Sequence, residues 1–174
     1  TKSIFLVTNG QEPDMIQKLQ DEDALPTQLY LSTNAADYES FLKINKPKYD
    51  DSWERWNRTL DMLKDLDTRT VLRITLIRNY NDQKEMIPAF AEMFRKASPH
   101  FIEIKSYMHI GRSTNRLEHE NMLEMEEVKK FSEQIAKESK IFSIMDESLV
   151  SRISILQNNE RFIDRWIPTY ANTN

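Results

Sequence analysis

Short apolar runs rich in β-forming residues alternate along the chain with stretches of helical periodicity. In residues 51–66, Trp and Leu side chains recur at helical spacing behind an Asp51–Ser52 cap, which predicts a helix with its tryptophans in the core. The predicted strands are residues 3–10, 27–35, 69–78, 100–108, 141–146 and 152–157. The predicted helices are residues 12–22, 36–44, 51–66, 83–97 and 123–139.

This alternation predicts an α/β fold. Strands that alternate with helices favour parallel strands, covered by helices, in a sheet or a barrel. A chain of 174 residues fits one domain better than two. We expect the folded part to be residues 1–157, with residues 158–174 as a loosely held tail.

Three of the predicted strands have one apolar and one polar face. In FIEIKSY, Ile102 and Ile104 share one side, whereas Glu103 and Lys105 share the other. The other polar faces carry Gln28, Tyr30, Ser32 and Asn34 in one strand, and Arg73 and Thr75 in another. Parallel sheets are normally covered on both sides, so this pattern favours a curved sheet around a polar pocket. A solvated Glu103–Lys105 pair on an edge strand is the alternative.

The basic side chains of these strands have chemistry that suits such a pocket. Lys105 can bind a carboxylate or a phosphate, or form a Schiff base with a ketone. Arg73 can hold an anion in a bidentate manner.

The segment MHIGRSTNRLEHENM, residues 108–122, is longer than most connections, which indicates a functional or mobile loop. From residue 101 to 117, Glu103 is the one acidic residue against Lys105, Arg112 and Arg116, so this part of the chain is basic. Such a patch can position a nucleic-acid backbone, although a solvated loop with ordinary arginines explains the charge equally well.

Composition excludes several kinds of site. The net charge of −4 argues against a globally basic nucleic-acid binder. The chain has no cysteine, which excludes disulfides, thiol nucleophiles and cysteine-ligated zinc or iron–sulfur clusters. With two glycines it has no phosphate-binding Gly-rich loop, and the spacing of His109 and His119 matches no metal motif, so we expect no metal site.

The hydropathy of the chain indicates where in the cell the protein is located. No apolar run approaches the length of a membrane span, and the first residues lack the features of a signal peptide, which predicts a cytoplasmic protein without a membrane partner. The chain begins almost directly with an apolar strand. We therefore expect an upstream part of the protein to be missing.

Several segments resemble, in the same order, the C-terminal half of the archaeal-type radical S-adenosylmethionine (SAM) tRNA 4-demethylwyosine synthases. They are LVTNG, PTQLYLSTNA, the element at residues 53–55, RTVLRITLIRNYN and, most specifically, FIEIKSYMHIGRSTNRLEHENM. The likeness extends to about Glu160. It implies a partial (β/α)6 radical-SAM barrel that lacks its first strands and cluster loop, with a wyosine-base-formation region at about residues 100–140.

The resemblance also implies an activity and its partners. The family condenses pyruvate with N1-methylguanosine in phenylalanine tRNA to form 4-demethylwyosine, a carbon–carbon lyase step of tRNA processing toward wybutosine. It uses S-adenosylmethionine, two 4Fe-4S clusters and an electron donor, and a lysine holds pyruvate as an imine. Matched by position, the residues lining the SAM pocket would be Thr8, Asn9, Ser32, Asn34, Arg73 and Thr75. The catalytic candidate is Lys105, and substrate or tRNA contacts would come from Glu103, His109, Arg112 and Arg116.

The chain also departs from the family pattern. The cysteine motifs and an acidic SAM-binding turn would lie upstream, so this chain alone would hold no cluster and be inactive. Asn34 stands where the family usually has Asp, which weakens any role that needs a negative charge there. The imine-forming lysine is Lys105 or lies in the missing half. Two alternatives stay open: an inert tRNA-binding or assembly module of the same fold, and an unrelated α/β small-molecule binder that uses Lys105.

Overall fold

The computed structural model of the protein describes residues 3–167. Within this range the strands are β1 (Phe5–Thr8), β2 (Gln28–Ser32), β3 (Arg69–Leu76), β4 (Phe101–Ser106), β5 (Phe142–Ser148) and β6 (Ile153–Asn158). The helices are α1 (Pro13–Asp21), α2 (Tyr38–Asn45), α3 (Ser52–Met62), α4 (Ile87–Ala97) and α5 (Met125–Ser139). The predicted elements are thus confirmed, with ends that differ by a few residues.

The six strands form one mixed sheet in the order β1-β2-β3-β4-β6-β5. Strands β1 to β4 are parallel neighbours, whereas β6 is antiparallel to β4 and β5 is antiparallel to β6. The predicted α/β fold is confirmed, but the expectation of parallel strands holds for the first four alone. A short turn joins β5 to β6, and a connection this short permits only antiparallel pairing.

The core lies between the helices and one face of the sheet. Each parallel strand lies beside the next one in the chain, so the intervening helices gather on the same side. The strand residues of this face, which are fully buried, are Leu29, Leu31, Leu72, Ile74, Ile102, Ile104 and Leu156. They form one apolar cluster with Trp56 of α3, Phe90 of α4 and Phe131 of α5. The prediction that the tryptophans of this helix belong to the core is confirmed for Trp56, whereas Trp53 is partly buried and packs against the core.

Gly10 ends β1 with a turn that brings the backbone against the core. Its φ of +75° lies in the left-handed region, and a Cβ added there would lie 2.7 Å from Cδ1 of Leu31 and 3.1 Å from Cδ1 of Trp56. The Thr59 hydroxyl donates to the Gly10 carbonyl at 2.8 Å. Both the backbone angle and the close approach therefore require glycine at this position.

The segment after β6 contacts the side chain of Arg69 on β3. The guanidinium of Arg69 on β3 donates to the carbonyls of Asp164 and Arg165, at 2.7 and 3.0 Å. Arg165 and Trp166 thereby lie near the amino ends of β2 and β3 on the face opposite the helices, where they line a pocket with Gln28 and Arg69. This part of the predicted tail has no periodicity that would reveal such backbone contacts, and its remainder, residues 168–174, lies outside the described residues.

Candidate functional site

The face of the sheet opposite the helices is polar along β2, β3 and β4, as the alternation predicts. Arg73 lies opposite Glu103 in register, and Thr75 lies opposite Lys105. Arg73, Thr75 and Lys105 are partly exposed, whereas Glu103 is buried. We call this surface the open face, because no helix covers it within residues 3–167.

Arg73 and Glu103 form an ion pair at the middle of the open face. The Nε of Arg73 lies 2.8 Å from Oε1 of Glu103, and its Nη2 donates to Oε2 at 3.3 Å. The guanidinium also lies over the ring of Tyr30, with Cζ 4.3 Å from the ring centroid. The anion that Arg73 holds here is therefore a carboxylate of the neighbouring strand, positioned by the parallel register.

Lys105 is the remaining cation of the open face along β4. Its half-buried side chain takes part in none of the ion pairs formed within residues 3–167. The solvated Glu103–Lys105 pair that the sequence left open does not form, since Glu103 pairs with Arg73. The Lys105 amine is thus available to an anionic or carbonyl ligand.

A pocket of about 650 Å³ opens at the carboxyl ends of β1 and β2. Three of the predicted cofactor residues, Asn9, Ser32 and Asn34, line it together with Arg116 from the loop after β4. The structure thus brings side chains from three separated segments to one cavity. Ligands of α/β sheets bind at the carboxyl ends of parallel strands, and this pocket has that position.

Thr8 and Asn9 stabilise the turn between β1 and α1. The Thr8 hydroxyl oxygen accepts from the Gly10 N–H at 3.1 Å, and Oδ1 of Asn9 accepts from the Gln11 N–H at 3.2 Å. Their side-chain oxygens therefore already have backbone partners. Thr8 does not line the pocket, whereas Asn9 does.

Two asparagines fix the carboxyl ends of β2 and β3. Oδ1 of Asn34 accepts from the Thr75 N–H at 3.0 Å. The fully buried Asn81 donates its amide to the carbonyls of Asn34 and Thr75, both at 2.9 Å, and accepts from the Ile77 N–H at 2.7 Å. Sequence reasoning missed Asn81, and the sole signal was its place in the RNYN segment that resembles the family.

The loop after β4 carries the remaining predicted residues. The Tyr107 hydroxyl lies 3.1 Å from Nδ1 of His109, and the ring of His109 lies 6.1 Å from that of His119. Arg112 is exposed and is not among the residues that line the pocket of about 650 Å³. Gly111, at φ +63°, forms the bend beside it. The structure therefore separates Arg112 from the pocket that Arg116 reaches.

Two further properties concern residues 3–167. Within this range no three His, Asp or Glu side chains come together in a group able to hold a metal ion. Each helix there is too short or too polar to cross a membrane.

Comparison with known proteins connects this site to a family. Residues 96–158 match the family described as wyosine base formation. A Methanocaldococcus jannaschii protein named S-adenosyl-L-methionine-dependent tRNA 4-demethylwyosine synthase is 42% identical over 162 residues, which is 92% of this chain and 48% of that protein. The Pyrococcus abyssi protein of the same name is 38% identical over 156 residues, or 90% of this chain and 45% of that protein.

Solved structures agree with the sequence matches. A structure described as TYW1 with a lysine-pyruvate adduct bound has a TM-score of 0.79 and 41% identity, covering 91% of this chain and 48% of that one. A crystal structure of archaeal TYW1 has a TM-score of 0.72 and 36% identity, covering 91% of this chain and 47% of that one.

The chain is thus an α/β protein with a mixed sheet, in which residues 96–158 match the wyosine base formation family. The chain is a relative of the tRNA 4-demethylwyosine synthases and matches part of such a protein, which confirms the resemblance read from its sequence. It spans about half the length of these two relatives.

Proposed function

We propose that this chain is the C-terminal part of an enzyme that condenses N1-methylguanosine in phenylalanine tRNA with pyruvate to form 4-demethylwyosine. The observation that carries the proposal is its 41% identity, over 91% of its residues, with a TYW1 structure that holds a lysine-pyruvate adduct. The enzyme would be a carbon–carbon lyase of wybutosine biosynthesis that acts in the cytoplasm.

We further propose that the sheet is part of a (β/α)6 radical-SAM barrel. Strands β1 to β4 are parallel neighbours, and their helices lie on one face of the sheet. A (β/α) barrel is built by repeating this strand-and-helix arrangement until the sheet closes. The open face would then be the concave interior, completed by strands that pair with β1. The polar character of this face supports the proposal, because the wall of a ligand-filled interior is polar where it contacts the ligand.

The donor set of the pocket at the strand ends fits S-adenosylmethionine. The amides of Asn9 and Asn34 and the hydroxyl of Ser32 can hydrogen-bond the ribose hydroxyls and the amino-acid group. When bound, this cofactor supplies the radical chemistry of the family. The role proposed for Arg73 and Thr75 is to shape the adjoining wall, where the Arg73–Glu103 pair keeps the surface polar without net charge.

Iron–sulfur clusters do not fit the residues of this chain, because it contains no cysteine. We propose that another segment or polypeptide supplies the 4Fe-4S clusters and accepts electrons from the donor. The chain by itself would then be inactive. Its own residues would bind and orient substrates and exclude water from the open face.

Pyruvate is the substrate proposed to contact Lys105. The Lys105 amine can attract the pyruvate carboxylate as a cation, or attack its ketone to form an imine with loss of water. In the second case the chain would supply the catalytic lysine, and in the first case that lysine would lie in the remainder of the enzyme. His109, Arg112 and Arg116 would contact tRNA from the loop above the pocket.

A chimeric enzyme tests the proposal directly. The chain replaces the corresponding half of the M. jannaschii relative, and the product nucleoside is measured by mass spectrometry after reaction with N1-methylguanosine-containing tRNA. We expect 4-demethylwyosine from the chimera and from the unaltered relative. A folded, cluster-loaded chimera that forms no product would overturn the proposal.

Borohydride reduction in the presence of pyruvate then locates the lysine. A reduced adduct on Lys105, lost in Lys105→Arg, would assign imine formation to this half. An adduct on the other half, with lower apparent pyruvate affinity in Lys105→Gln, would leave Lys105 as the carboxylate-binding cation.

The absence of cysteine favours a second candidate, an inert tRNA-binding module of the same fold. A chain that binds tRNA but gives no product in the chimera would support this second function.

A further inference from the structure

Two adjoining pockets at the carboxyl ends of the strands share a basic wall. The pocket of about 650 Å³ and a smaller one of about 60 Å³ are both lined by Ile44, Lys46 and Arg116. Lys48 lines the larger pocket and Lys43 the smaller. We call the surface formed by Lys43, Lys46, Lys48 and Arg116 the basic groove.

The charges of the basic groove are not neutralised by neighbours. None of the ion pairs formed within residues 3–167 includes any of its four cations. Glu12 is the one acidic residue among those lining the two pockets, and it lies 3.8 Å from Arg55. The nearby carboxylate of Asp51 is also bonded to Arg55, at 2.8 Å. The groove therefore presents an excess of positive charge inside an acidic chain.

Aromatic rings lie among these cations. The Nζ of Lys43 lies 4.8 Å from the centroid of the Tyr80 ring, and the Nζ of Lys48 lies 5.9 Å from that of Tyr49. Tyr49 is 42% exposed. Cations interleaved with aromatic rings are typical of surfaces that follow an unpaired nucleic-acid strand, since phosphates contact the cations and bases stack on the rings.

The connection that carries Lys46, Lys48 and Tyr49 is anchored to the fold. The buried Ser52 hydroxyl donates to the Tyr49 carbonyl at 2.6 Å, and Nε2 of Gln11 donates to the Ser52 carbonyl at 3.0 Å. The cations therefore lie at a defined place beside the mouth of the pocket. Little ordering of this connection would be needed when a ligand binds.

We propose that the basic groove binds the phosphate backbone of the RNA strand that delivers the reacting base. The inference rests on the proposed function, because the groove borders the pocket proposed for S-adenosylmethionine, beside which the base would react. Cations from two separate segments along one groove match successive phosphates better than a single phosphate group. An acidic protein surface is the competing occupant.

Binding of a fluorescent 17-nucleotide RNA stem-loop, followed by anisotropy between 50 and 200 mM KCl, tests the groove. Lys43, Lys46 and Lys48 are changed together to Gln. We expect affinity at low salt to fall about tenfold or more, and the slope of log K against log salt to decrease by about 2, since each phosphate contact contributes roughly 0.7–0.9.

A matched control removes three exposed lysines at the opposite end of the sheet. Lys64 follows α3, Lys137 lies in the last turn of α5, and Lys140 is the C-cap of α5 with a positive φ like that of Lys46. Lys64→Gln, Lys137→Gln and Lys140→Gln together change the net charge equally. We expect affinity within about twofold of the original chain. The eight residues of β3, at a rise of roughly 3.3 Å each, separate the two ends of the sheet by more than a Debye length of about 10 Å.

The outcomes separate the possibilities. Equal losses of RNA affinity in the two triple variants would overturn the proposal. So would the absence of RNA binding by the original chain. Competition by polyglutamate as effective as that by unlabelled RNA would assign the groove to an acidic protein. Competition by millimolar inorganic phosphate alone would assign a small phosphate site. If the chimera is active but the groove variants bind RNA normally, this inference alone is refuted. If RNA binding depends on the groove but the chimera is inactive, the proposed function alone is refuted.

Discussion

Arg73 and Glu103 face each other in register on β3 and β4, and Nε of the first lies 2.8 Å from Oε1 of the second. Their side chains are 28% and 11% exposed. The carboxylate is thus the natural counterion of a half-buried guanidinium in the middle of the open face. Removing one partner leaves a charge that is poorly solvated and unpaired.

We expect Glu103→Ala to lower the free energy of unfolding by about 1–3 kcal/mol, because Arg73 loses its charged acceptor. Urea unfolding measures this change. Asp14→Ala is the control, since Asp14 pairs with Arg58 in a contact where both side chains are mostly exposed. A surface pair of this kind contributes less than about 1 kcal/mol. Equal losses in the two variants would contradict the assignment of Glu103 as a buried counterion.

Asn81 offers a second prediction. The fully buried Asn81 side chain hydrogen-bonds backbone groups of Asn34, Thr75 and Ile77, so Asn81→Ala should lower the free energy of unfolding by about 2–4 kcal/mol. Asn115, exposed in the loop after β4, is the matched control, and Asn115→Ala should change stability by less than about 0.5 kcal/mol. If Asn81→Ala is as stable as that control, the asparagine does not hold the strand ends together.

Glu103 and Asn81 show which features of the site the sequence alone can predict and which it cannot. Successive side chains of a strand point to opposite faces of the sheet. This alternation predicted that Glu103 and Lys105 share a face of their strand, and that Arg73 and Thr75 share a face of theirs. It did not reveal that Glu103 would pair with Arg73, since that requires the register between strands distant in sequence. Asn81 has no periodic neighbour at all, because its three partners are backbone groups brought near by two different turns.

The basic groove illustrates the same limit. Lys43, Lys46 and Lys48 look like a solvated charge run next to a helix end, and they join Arg116 only when α2 is placed beside the loop after β4. The contact of Arg69 with the final segment is equally hidden, because the acceptors are main-chain carbonyls. Sequence periodicity therefore predicted elements and faces, whereas contacts between them needed the assembled sheet.

His100 predicts a dependence of stability on pH. This residue is 9% exposed, and its Nδ1 accepts from the Thr70 N–H at 3.1 Å. Burial, followed by the charges of Arg161 and Arg69, lowers the pKa of His100 from 6.5 to about 4. Between these two values the unfolded chain binds more protons than the folded one. Stability should therefore fall as the pH is lowered from about 6.5 to about 4, by at most about 3 kcal/mol.

Urea unfolding at pH 7.5, 6 and 5 checks this dependence against two variants. In His100→Asn the side-chain oxygen can still accept from Thr70 but does not titrate, so we expect a weaker fall in stability between pH 6.5 and 5. His119 is exposed, and His119→Asn should keep the slope of the original chain. If His100→Asn retains the full slope, carboxylates rather than His100 are responsible for it.

The exposed edge of β1 leads to a prediction about association. Within residues 3–167, β1 pairs with β2 alone, and Ile4, Phe5 and Val7 are 58%, 54% and 52% exposed. Under the proposed function, further strands of the enzyme would cover this edge. An apolar edge without a partner pairs with other chains. We therefore expect the chain by itself to self-associate as its concentration rises in sedimentation velocity experiments.

A charge on the edge should prevent this association, because edge-to-edge pairing would bring two like charges close together. We expect Val7→Lys to sediment as a monomer at concentrations where the original chain is dimeric or larger. Val150, 95% exposed in the turn between β5 and β6, is the matched control, and Val150→Lys should associate like the original chain. If Val7→Lys still associates and Val150→Lys does not, the contact lies at the β5 end of the sheet. A monomeric original chain would mean that the β1 edge is protected without any partner.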